Sequence, residues 1–392
     1  MIALIISLTL IILVFYALEI HPYLTKKIKH RFYMFEPNSP TPTYQKALLK
    51  ASLKMAKRET PKMSLADNTY FPIVFVRTLY TFLKNNNRLK NSFPRAFLLN
   101  GILDSAFQKE NDVKFFSKVE NHVLSFVSQL NTRGRLDYID QVSMGVVLLK
   151  LYQHTGKEDF KLACDKIIDY LKQETNEEGI IMYRKNEGFH YVDVLGMICP
   201  FLYSYAHTFQ KNDLVILANK QLLFYLENGI GSSGLPFHAI ELSNNMPLGS
   251  SNWGRGLGWF LLGLSSAIAY SSISNNPEYE RFEEKMKALK LILDKTKHQH
   301  FWGQFIGISK KWSVDTSVSC MILYSLQVSG YQNEDLSDFY SFIKSKTSKD
   351  GLVDFTSGDT EDINVYSREF GNSELTQGLL LSILAQPHKF ES

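Results

Sequence analysis

Two consecutive stretches, VSMGVVLLKLYQHTG at 142–156 and DFKLACDKIIDYLKQE at 159–174, indicate how this chain folds. The first stretch is apolar on almost every side, as expected of a helix that is buried all round. The second has apolar residues at intervals of three and four with charged residues between them, so only one of its faces is apolar. Together they predict a hairpin of one buried inner helix and one outer helix with a solvated face.

This pattern of an apolar helix, a polar turn and a charged amphipathic helix recurs along the chain at steps of roughly 45 to 60 residues. The turns resemble one another, with the sequences QHTGKEDF, FQKNDLV, SNNPEYE and SGYQNEDL. Six inner and six outer helices predict an all-α fold, an (α/α)6 barrel, while an open α-solenoid is the alternative. The apolar members begin near Leu98, Val142, Leu195, Leu257, Val318 and Thr376.

The composition is that of a globular chain, since 45% of the 392 residues are hydrophobic and 21% are charged. It excludes a disordered chain, which would be poor in apolar residues. The net charge of +4 does not indicate the clustered basic face of a nucleic-acid-binding protein, so no nucleic-acid partner is predicted. The three cysteines form no CxxC pair and argue against a disulfide framework or a thiolate zinc site. We predict neither a metal nor a cofactor, and the oligomeric state stays open.

The N-terminal residues 2–20 read IALIISLTLIILVFYALEI, with Glu19 as the single charged residue. About 18 to 20 apolar residues in a helix span the hydrocarbon core of a bilayer. A cleaved signal peptide would carry basic residues before its apolar run, and this run has none. The sequence therefore predicts a transmembrane anchor at 1–20, with the lipid bilayer as a partner through residues 2–20.

A basic segment follows this run, and the positive-inside rule places such a flank in the cytoplasm. We therefore expect a single-pass membrane protein whose main body is cytoplasmic. The proline-containing segment that ends the basic region completes a juxtamembrane linker at 21–45, and the barrel would occupy 46–392. The basic residues are Lys26, Lys27, Lys29 and Arg31.

Two aspartates stand directly before or at the start of inner helices. Asp140 lies in LDYIDQ and precedes the apolar run at 142–156, and Asp193 lies in HYVDVLG and precedes the next apolar run. Each could be the N-cap of its helix, which is a common place for aspartate. At equivalent places in neighbouring hairpins they would face one another across the barrel mouth, where paired carboxylates can act as acid and base. Both interpretations stay open at this point.

A third segment combines aromatic, basic and small residues. NWGRGLGW at 252–259 holds Trp253 and Trp259, two of the four tryptophans, around Arg255. A guanidinium group can hold a carboxylate in a bidentate pair, and an indole ring offers a stacking face for a sugar. The glycines do not form a dinucleotide-binding motif, because no strand precedes them. His238, in GLPFHAI, is a further candidate, although a lone histidine is more often structural.

In order and spacing these segments resemble the unsaturated uronyl hydrolases, glycoside hydrolase families 88 and 105, from about residue 95 to the C-terminus. WGRGLGW resembles the W-x-R-x-x-x-W segment of these families, and YVDVLGMICPF resembles their helix-opening segment with Asp, Met and Pro-Phe. LDYIDQVSMGVVLLKLY resembles their earlier Asp segment, and GLPFHAI their His segment. The chain departs from the families at Asp315, where Glu is usual, and in the turn at 357–360, which reads SGDT.

The resemblance implies an (α/α)6 barrel that removes a 4,5-unsaturated uronic acid from the non-reducing end of an oligosaccharide by hydrating an enol ether. It implies that Asp193 protonates C4 and then takes a proton from the water that adds at C5, with Asp140 as the neighbouring carboxylate. The residues at 46–392 would then be the catalytic domain. It also implies a set of substrate-binding residues, which are His238, Trp253, Arg255, Trp259 and Met197.

Two other functions fit the same residues. The chain could be a non-catalytic glycan-binding or scaffold member of a polysaccharide biosynthesis complex, which would keep the tryptophans but need no acid. It could also be another (α/α)6 sugar enzyme, such as an epimerase, which would need two histidines facing one another. The predicted anchor favours a role in the metabolism of a cell-surface polysaccharide.

Overall fold

A computed structural model describes most of the chain and shows it to be mainly helical. The four basic residues of the predicted juxtamembrane segment lie outside the described residues. The described residues are 2–21, 28, 33–57, 93–108, 113–184, 188–274, 276–308, 314–331, 336–360, 362–368 and 370–386.

The described part of the chain contains thirteen α-helices, several short strands and two further helical turns. A 3-10 turn at Ile139–Ser143 leads into one of the helices, and a π-helical turn at Tyr16–Ile20 follows the first. In chain order the helices are α1 (Ile2–Phe15), α2 (Thr41–Ala56), α3 (Phe93–Gln108), α4 (Val113–Arg133), α5 (Met144–Thr155), α6 (Glu158–Gln173), α7 (Val192–Phe209), α8 (Asn212–Asn228), α9 (Gly254–Ser274), α10 (Tyr279–Thr296), α11 (Thr316–Val328), α12 (Ser337–Ser345) and α13 (Glu374–Ala385).

Six of these helices form a closed inner ring in the order α3, α5, α7, α9, α11 and α13, and α13 packs back against α3. The others, apart from α1, follow or precede them as outer helices. Burial separates the two classes, since 13 of the 18 residues of α7 are buried but only 7 of the 16 residues of α6. A helix in contact with neighbours on most sides needs apolar residues nearly all round. The closed ring is that of an (α/α)6 barrel rather than an open solenoid.

The ring closes where α3 meets α13, a junction that we call the seam. A Cβ atom built on Gly378 would lie 2.1 Å from the carbonyl oxygen of Phe97, and one on Gly101 would lie 2.2 Å from that of Gly378. The two helix backbones can approach this closely because neither glycine has a side chain. A buried ion pair also crosses the seam, since Arg95 Nε lies 2.7 Å from Glu374 Oε2 with neither side chain exposed.

The N-terminal helix differs from the prediction. No helix in the described part of the chain is both long and apolar enough to cross a membrane. The helix α1 has 14 residues, about 21 Å at 1.5 Å per residue, against about 30 Å of hydrocarbon. The apolar run leaves α-helical geometry at Tyr16 and enters the π-helical turn. The predicted transmembrane helix at 1–20 and the single-pass membrane location with a cytoplasmic body are therefore wrong, and the predicted bilayer contact of residues 2–20 is not supported.

The residues before the barrel are joined to it by backbone hydrogen bonds. The amide of Phe35 donates to the carbonyl of Thr347 at 2.8 Å, and that of Lys349 donates to Tyr33 at 2.8 Å. The helix α2, which begins at Thr41, packs on both α3 and α13 across the seam. The boundary at residue 46 stays a prediction, and these contacts favour an earlier start of the barrel domain.

Short strands lie at the end of the barrel where the inner helices begin. β1 (Phe189–Tyr191) pairs with β2 (Ala239–Glu241), which pairs with β3 (Met246–Leu248), and all pairings are antiparallel. A second pair joins β4 (Thr356–Ser357) to β5 (Phe370–Gly371). Because β1 runs directly into α7, and the amide of Val192 donates to the carbonyl of His238 at 3.0 Å, this sheet fixes the start of α7 beside the residue before β2.

Candidate active site

The candidate site lies at the end of the barrel where the inner helices begin, which we call the mouth. Asp140 is in the 3-10 turn before α5, Asp193 is the second residue of α7, and Arg255 is the second residue of α9. The inner helices run in one direction, so their first turns meet at one end. The two aspartates are not the N-caps, because Ser143 occupies the cap position of α5, Tyr138 that of the 3-10 turn before it, and Tyr191 that of α7.

The capping role that we considered for both aspartates belongs instead to a third one. Asp315 is the N-cap of α11, and its carboxylate accepts from the amides of Ser317 at 2.9 Å and Val318 at 3.4 Å. Its side chain is fully buried. The position at which the sequence has Asp in place of Glu is thus explained by capping of a helix.

Asp193 carries the most perturbed carboxyl group of the mouth. Burial and, to a smaller extent, the charge of Asp359 raise the pKa of Asp193 to about 7. The Arg255 guanidinium partly opposes this shift. Its side chain is 20% exposed and so remains accessible from the mouth. Its Oδ2 atom has no hydrogen-bond partner within the described residues. A carboxyl group with this pKa can hold a proton and release it near neutral pH.

His238 lies beside this carboxyl group as a neutral ring. Its Nε2 atom is 3.8 Å from Asp193 Oδ2. Burial, and to a smaller extent the charge of Arg255, lower the pKa of His238 to about 4. The contact is therefore not an ion pair at neutral pH. The ring packs against Trp253 with centroids 4.5 Å apart and against Tyr366 at 5.7 Å, so the three form an aromatic wall.

Asp140 is a second carboxyl group with a raised pKa. Burial raises it to about 6, and the charge of Asp359 adds to the effect. The pKa of Tyr183 is raised chiefly by burial and then by the charges of Asp140, Asp193 and Asp359. The Tyr183 hydroxyl therefore lies within electrostatic reach of all three carboxylates. The two predicted aspartates do share the mouth, together with a third that the prediction did not include.

Arg255 connects the start of α9 to the C-terminal turn that departs from the family pattern. Its guanidinium is buried, and it donates from Nη1 to the carbonyl of Ser357 at 3.2 Å and from Nη2 to Thr360 Oγ1 at 3.4 Å. It also lies over the Trp253 ring, 5.8 Å from the centroid. The Nε atom has no partner in the described part of the protein. Arg255 thus holds the turn that presents Asp359.

The other two predicted binding residues lie deeper in the barrel. Trp259 is 1% exposed, and its ring contacts Phe93 at 5.1 Å and Phe97 at 5.9 Å between centroids. These phenylalanines belong to α3, the inner helix opposite α9, so Trp259 crosses the barrel axis. Met197 follows Asp193 by one helical turn and is 3% exposed. The structure therefore brings together Asp140, Asp193, His238, Trp253 and Arg255, but neither Trp259 nor Met197 reaches this group.

Three residues of the mouth escaped the sequence analysis: Tyr183, Asp359 and Tyr366. Tyr366 contributes to the aromatic wall, and its hydroxyl accepts a hydrogen bond from the amide of Ser250 at 3.0 Å. Asp359 could have been found, because it lies in the SGDT turn whose sequence departs from the family. Both tyrosines follow no periodic pattern, and no sequence signal marks them. Among the described residues no group of His, Cys, Asp and Glu is arranged to hold a metal ion.

Solved structures of glycoside hydrolases share this fold. A family 105 glycoside hydrolase of C. acetobutylicum ATCC 824 is 18% identical, with a TM-score of 0.60 over 80% of this chain and 98% of that one. A possible family 105 member of Klebsiella pneumoniae is 12% identical, with a TM-score of 0.69 over 89% and 93%. The unsaturated glucuronyl hydrolase of Bacillus sp. GL1 is 14% identical, with a TM-score of 0.63 over 86% and 94%.

A comparison with protein families extends this result beyond the fold. The family described as Glycosyl Hydrolase Family 88 matches residues 68–366. The match spans 299 of the 392 residues and includes every residue of the mouth named above. The chain therefore belongs to glycoside hydrolase family 88 and is a glycoside hydrolase.

Proposed function

We propose that this glycoside hydrolase removes a 4,5-unsaturated uronic acid from the non-reducing end of an oligosaccharide, with Asp193 as its acid and base. The observation that carries the proposal is the state of Asp193, a largely buried carboxyl group with a pKa of about 7 at the mouth of the barrel. Some structural relatives act on such sugars, since the Bacillus sp. GL1 enzyme is an unsaturated glucuronyl hydrolase responsible for glycosaminoglycan degradation. Another is an unsaturated glucuronyl hydrolase specific for heparin.

The reaction begins with a proton transfer to carbon. Protonated Asp193 donates its proton to C4 of the double bond, and positive charge develops at C5 and the ring oxygen. The oxygen of a water molecule then bonds to C5 while the water gives a proton to the Asp193 carboxylate. The side chain ends in the state in which it began, so one residue serves as both acid and base.

The remaining steps release the saccharide. The product of hydration is a hemiketal at C5, which opens to a ketone as the bond between C5 and the ring oxygen breaks. The hemiacetal thus formed at C1 expels the neighbouring saccharide as an alcohol and leaves an aldehyde. This sequence differs from ordinary glycoside hydrolysis, in which one carboxyl group protonates the leaving oxygen and a second assists attack at C1.

Other groups at the mouth suit an anionic sugar. Arg255 has an unpaired Nε donor and a positive charge close enough to lower the pKa of Asp193 and His238. We assign it to the uronate carboxylate, which it can pair with through charge-assisted hydrogen bonds. The partly exposed Tyr366 offers an apolar surface for the ring, and Trp253, which is 1% exposed, packs behind it. The neutral ring of His238 lies 3.8 Å from the Asp193 carboxyl group. Asp140 is the second carboxyl group that faces the sugar.

The test measures the ultraviolet absorbance of the conjugated 4,5-ene on lyase-generated oligosaccharides. We expect the absorbance to fall with the wild-type chain, and the rate to drop about 10² to 10⁴-fold in Asp193→Asn because the proton donor is lost. Asp213→Asn is the matched control, since its side chain is 64% exposed on the outer helix α8. A constant absorbance with every lyase product, or full activity of Asp193→Asn, would refute the proposal.

A further inference from the structure

The turn at 357–360, which reads SGDT and departs from the family pattern, is held at the mouth by Arg255. The buried guanidinium donates to the carbonyl of Ser357 at 3.2 Å and to the hydroxyl of Thr360 at 3.4 Å. These two contacts lie on either side of Asp359 in the chain. Because Arg255 is the second residue of α9, they keep Asp359 close to the first turn of that helix.

Asp359 differs from the other two carboxyl groups of the mouth in its exposure. It is an exposed residue, whereas Asp140 and Asp193 are only partly exposed. Its negative charge raises the pKa of both of them and that of Tyr183. These three groups belong to the 3-10 turn before α5, to α7 and to the segment before β1. The charge of Asp359 therefore acts across the whole opening.

Negative charge exceeds positive charge around the mouth. Within the described residues, the charges that mainly shift the pKa of Asp193, Tyr183 and His238 come from four carboxyl groups and two guanidinium groups. One guanidinium is buried and holds the turn, and the other is exposed and lies over the Tyr183 ring, 5.7 Å from its centroid. The six groups are Asp140, Asp193, Asp359, Asp362, Arg184 and Arg255. A substrate therefore enters a site with an excess of carboxyl groups.

The exposed position of Asp359 places it beside the second sugar of a bound oligosaccharide rather than the first. In the proposed reaction the terminal uronate reaches Asp193, whose side chain is 20% exposed, and the rest of the oligosaccharide extends toward the solvent. The next sugar then passes the exposed rim of the mouth, where Asp359 lies.

An anionic group on that second sugar would be repelled. The charge of Arg255 is engaged by the uronate carboxylate in the proposed reaction, and Arg184 offsets only one of the carboxyl groups. Like charges a few ångströms apart at a protein surface repel strongly enough to change an affinity several-fold. An uncharged sugar instead offers hydroxyl groups, which can donate to the Asp359 carboxylate.

We propose that Asp359 is a specificity-determining residue, which restricts the enzyme to oligosaccharides whose second sugar carries no sulfate or other anionic group. The inference rests on the proposed function, since it names which of the unsaturated oligosaccharides are substrates. The discrimination comes from repulsion of the wrong ligand, a common source of specificity.

The test compares unsaturated disaccharides that differ by a single sulfate group. The second sugar is N-acetylgalactosamine in one pair and N-acetylglucosamine in the other, each with and without a 6-sulfate. Ultraviolet absorbance at pH 6 gives kcat/KM, and the readout is the ratio of the unsulfated to the sulfated value. Because both members of a pair use the same acid, a change in the pKa of Asp193 cancels in this ratio.

We expect Asp359→Asn to lower the ratio about three- to tenfold, because the repulsion is lost. Asp359→Glu, which keeps the charge, should retain the preference for the unsulfated sugar. Raising the salt concentration from about 0.05 M to about 0.5 M should lower the ratio more in the wild type than in Asp359→Asn, because salt screens exposed charges. Asp213→Asn is the matched control, since it removes the same charge from a side chain that is 64% exposed on α8, and its ratio should equal that of the wild type.

Binding of the same pairs to Asp193→Asn, measured by calorimetry, separates this inference from the proposed reaction. Tighter binding of the unsulfated sugar that is lost on adding Asp359→Asn, without hydrolysis by the wild type, supports the inference and refutes the reaction. Hydrolysis with a ratio that Asp359→Asn leaves unchanged, or that falls equally in Asp213→Asn, overturns the inference and leaves the reaction standing. Absence of both binding and hydrolysis overturns both.

Discussion

At the scale of single residues, burial at the mouth shifts the pKa of Asp193 and the pKa of His238 in opposite directions. Asp193 and His238 are 3.8 Å apart and lie in the same low-dielectric surroundings. Burial disfavours the charged form of each, so it raises the pKa of the acid and lowers that of the base. Near pH 7 the pair therefore consists of a neutral imidazole and a carboxyl group that is about half protonated.

The raised pKa of Asp193 predicts that its carboxylate destabilises the fold, although we propose that the same residue is needed for activity. Between about pH 4 and pH 7 the folded state keeps a proton that the unfolded chain has lost, so stability falls as the pH rises through this window. Above it, the folded chain carries a buried carboxylate. We expect Asp193→Asn, which removes this charge, to be more stable than the wild type at pH 8 by about 1 to 3 kcal/mol. Urea unfolding at pH 5 and pH 8 measures the difference.

The stability of Asp193→Asn at pH 8 distinguishes a catalytic acid from a residue that stabilises the start of α7. Asp213→Asn, the exposed control, should leave the free energy of unfolding nearly unchanged at both pH values. If Asp193→Asn is instead destabilised at pH 8, the carboxylate contributes to the fold, as a residue of a helix terminus would. Loss of activity in that variant would then say nothing about catalysis.

Asp359 should set the upper end of the pH range in which the enzyme works. Its negative charge raises the pKa of Asp193, so Asp359→Asn should lower that pKa. Since the proposed reaction needs the protonated acid, the fall of kcat/KM at alkaline pH should begin at a lower pH in the variant, by up to about one unit. The measurement is the pH profile of kcat/KM on an unsaturated disaccharide.

Asp362→Asn is the control for this shift. Asp362 lies in the same C-terminal segment, but its charge acts on His238. The alkaline limb of its profile should match that of the wild type. An unchanged limb in Asp359→Asn, or an equal shift in both variants, would contradict the assignment of Asp359.

At the scale of helices, the seam depends on the absence of two side chains. In Gly378→Ala the new methyl group would lie 2.1 Å from a backbone carbonyl oxygen, so α3 and α13 must move apart. We expect a loss of about 2 to 4 kcal/mol in the free energy of unfolding, which exceeds the gain of up to about 1 kcal/mol from the higher helix propensity of alanine. Chemical denaturation of the purified variant checks this value.

Gly263→Ala is the matched substitution in another inner helix. Its new methyl group would lie 3.0 Å from the carbonyl oxygen of Leu195, so the neighbour has to yield only a few tenths of an ångström. The expected cost is clearly smaller than at Gly378. Equal stabilities of the two variants would show that the seam can relax.

The positions of the inner helices were largely predictable from the sequence, but the residues that cap their N-termini were not. The inner helices begin within about five residues of the predicted starts, because a buried helix needs a long apolar run whose length is visible in the sequence. Asp193 and Asp315 show what was not visible. Both precede apolar runs, yet Asp315 caps its helix and Asp193 does not, since the difference lies in whether the carboxylate turns back to its own amides.

At the scale of the whole molecule, a buried pair of charges crosses the junction at which the barrel closes. Arg95 and Glu374 are both fully buried, and Arg95 also donates to the carbonyls of Ala56 and Met55 in α2. We expect Arg95→Met to cost about 3 to 5 kcal/mol because it leaves an uncompensated buried carboxylate. The double variant Arg95→Met with Glu374→Leu should recover a large part of this loss. Thermal and chemical unfolding of the three chains test both statements.

The exposed pair Arg281 and Glu227 provides the control. It has a similar distance, 2.9 Å, but its side chains are 46% and 55% exposed. Arg281→Met should therefore cost less than about 1 kcal/mol. If Arg95→Met costs no more than Arg281→Met, the buried pair does not hold the ring together.

Residues of the site were predictable where they stand beside the start of a helix, and were not predictable where a contact distant in sequence brings them to the mouth. Asp140, Asp193, Trp253 and Arg255 each stand at or just before the start of an inner helix, and repeated hairpins bring such positions together. His238 joins them because the sheet places it beside the start of α7. Trp259 lies in the same segment as Arg255 but points across the barrel to α3, which only the closed ring reveals. Asp359 reaches the mouth through a turn held by Arg255, a contact between residues more than a hundred positions apart.

The closure of the ring between its first and last inner helices has a consequence for folding during synthesis. Arg95 and Glu374 are separated by 279 residues, so at 5 to 20 residues per second the ribosome makes one roughly 15 to 55 seconds before the other. Throughout that interval α3 has no α13 to cover its apolar flank. The nascent chain therefore accumulates hairpins while the apolar flank of α3 stays exposed until translation is nearly finished. A chaperone that shields this flank would have its greatest effect on the yield of the protein, rather than on the stability of the finished barrel.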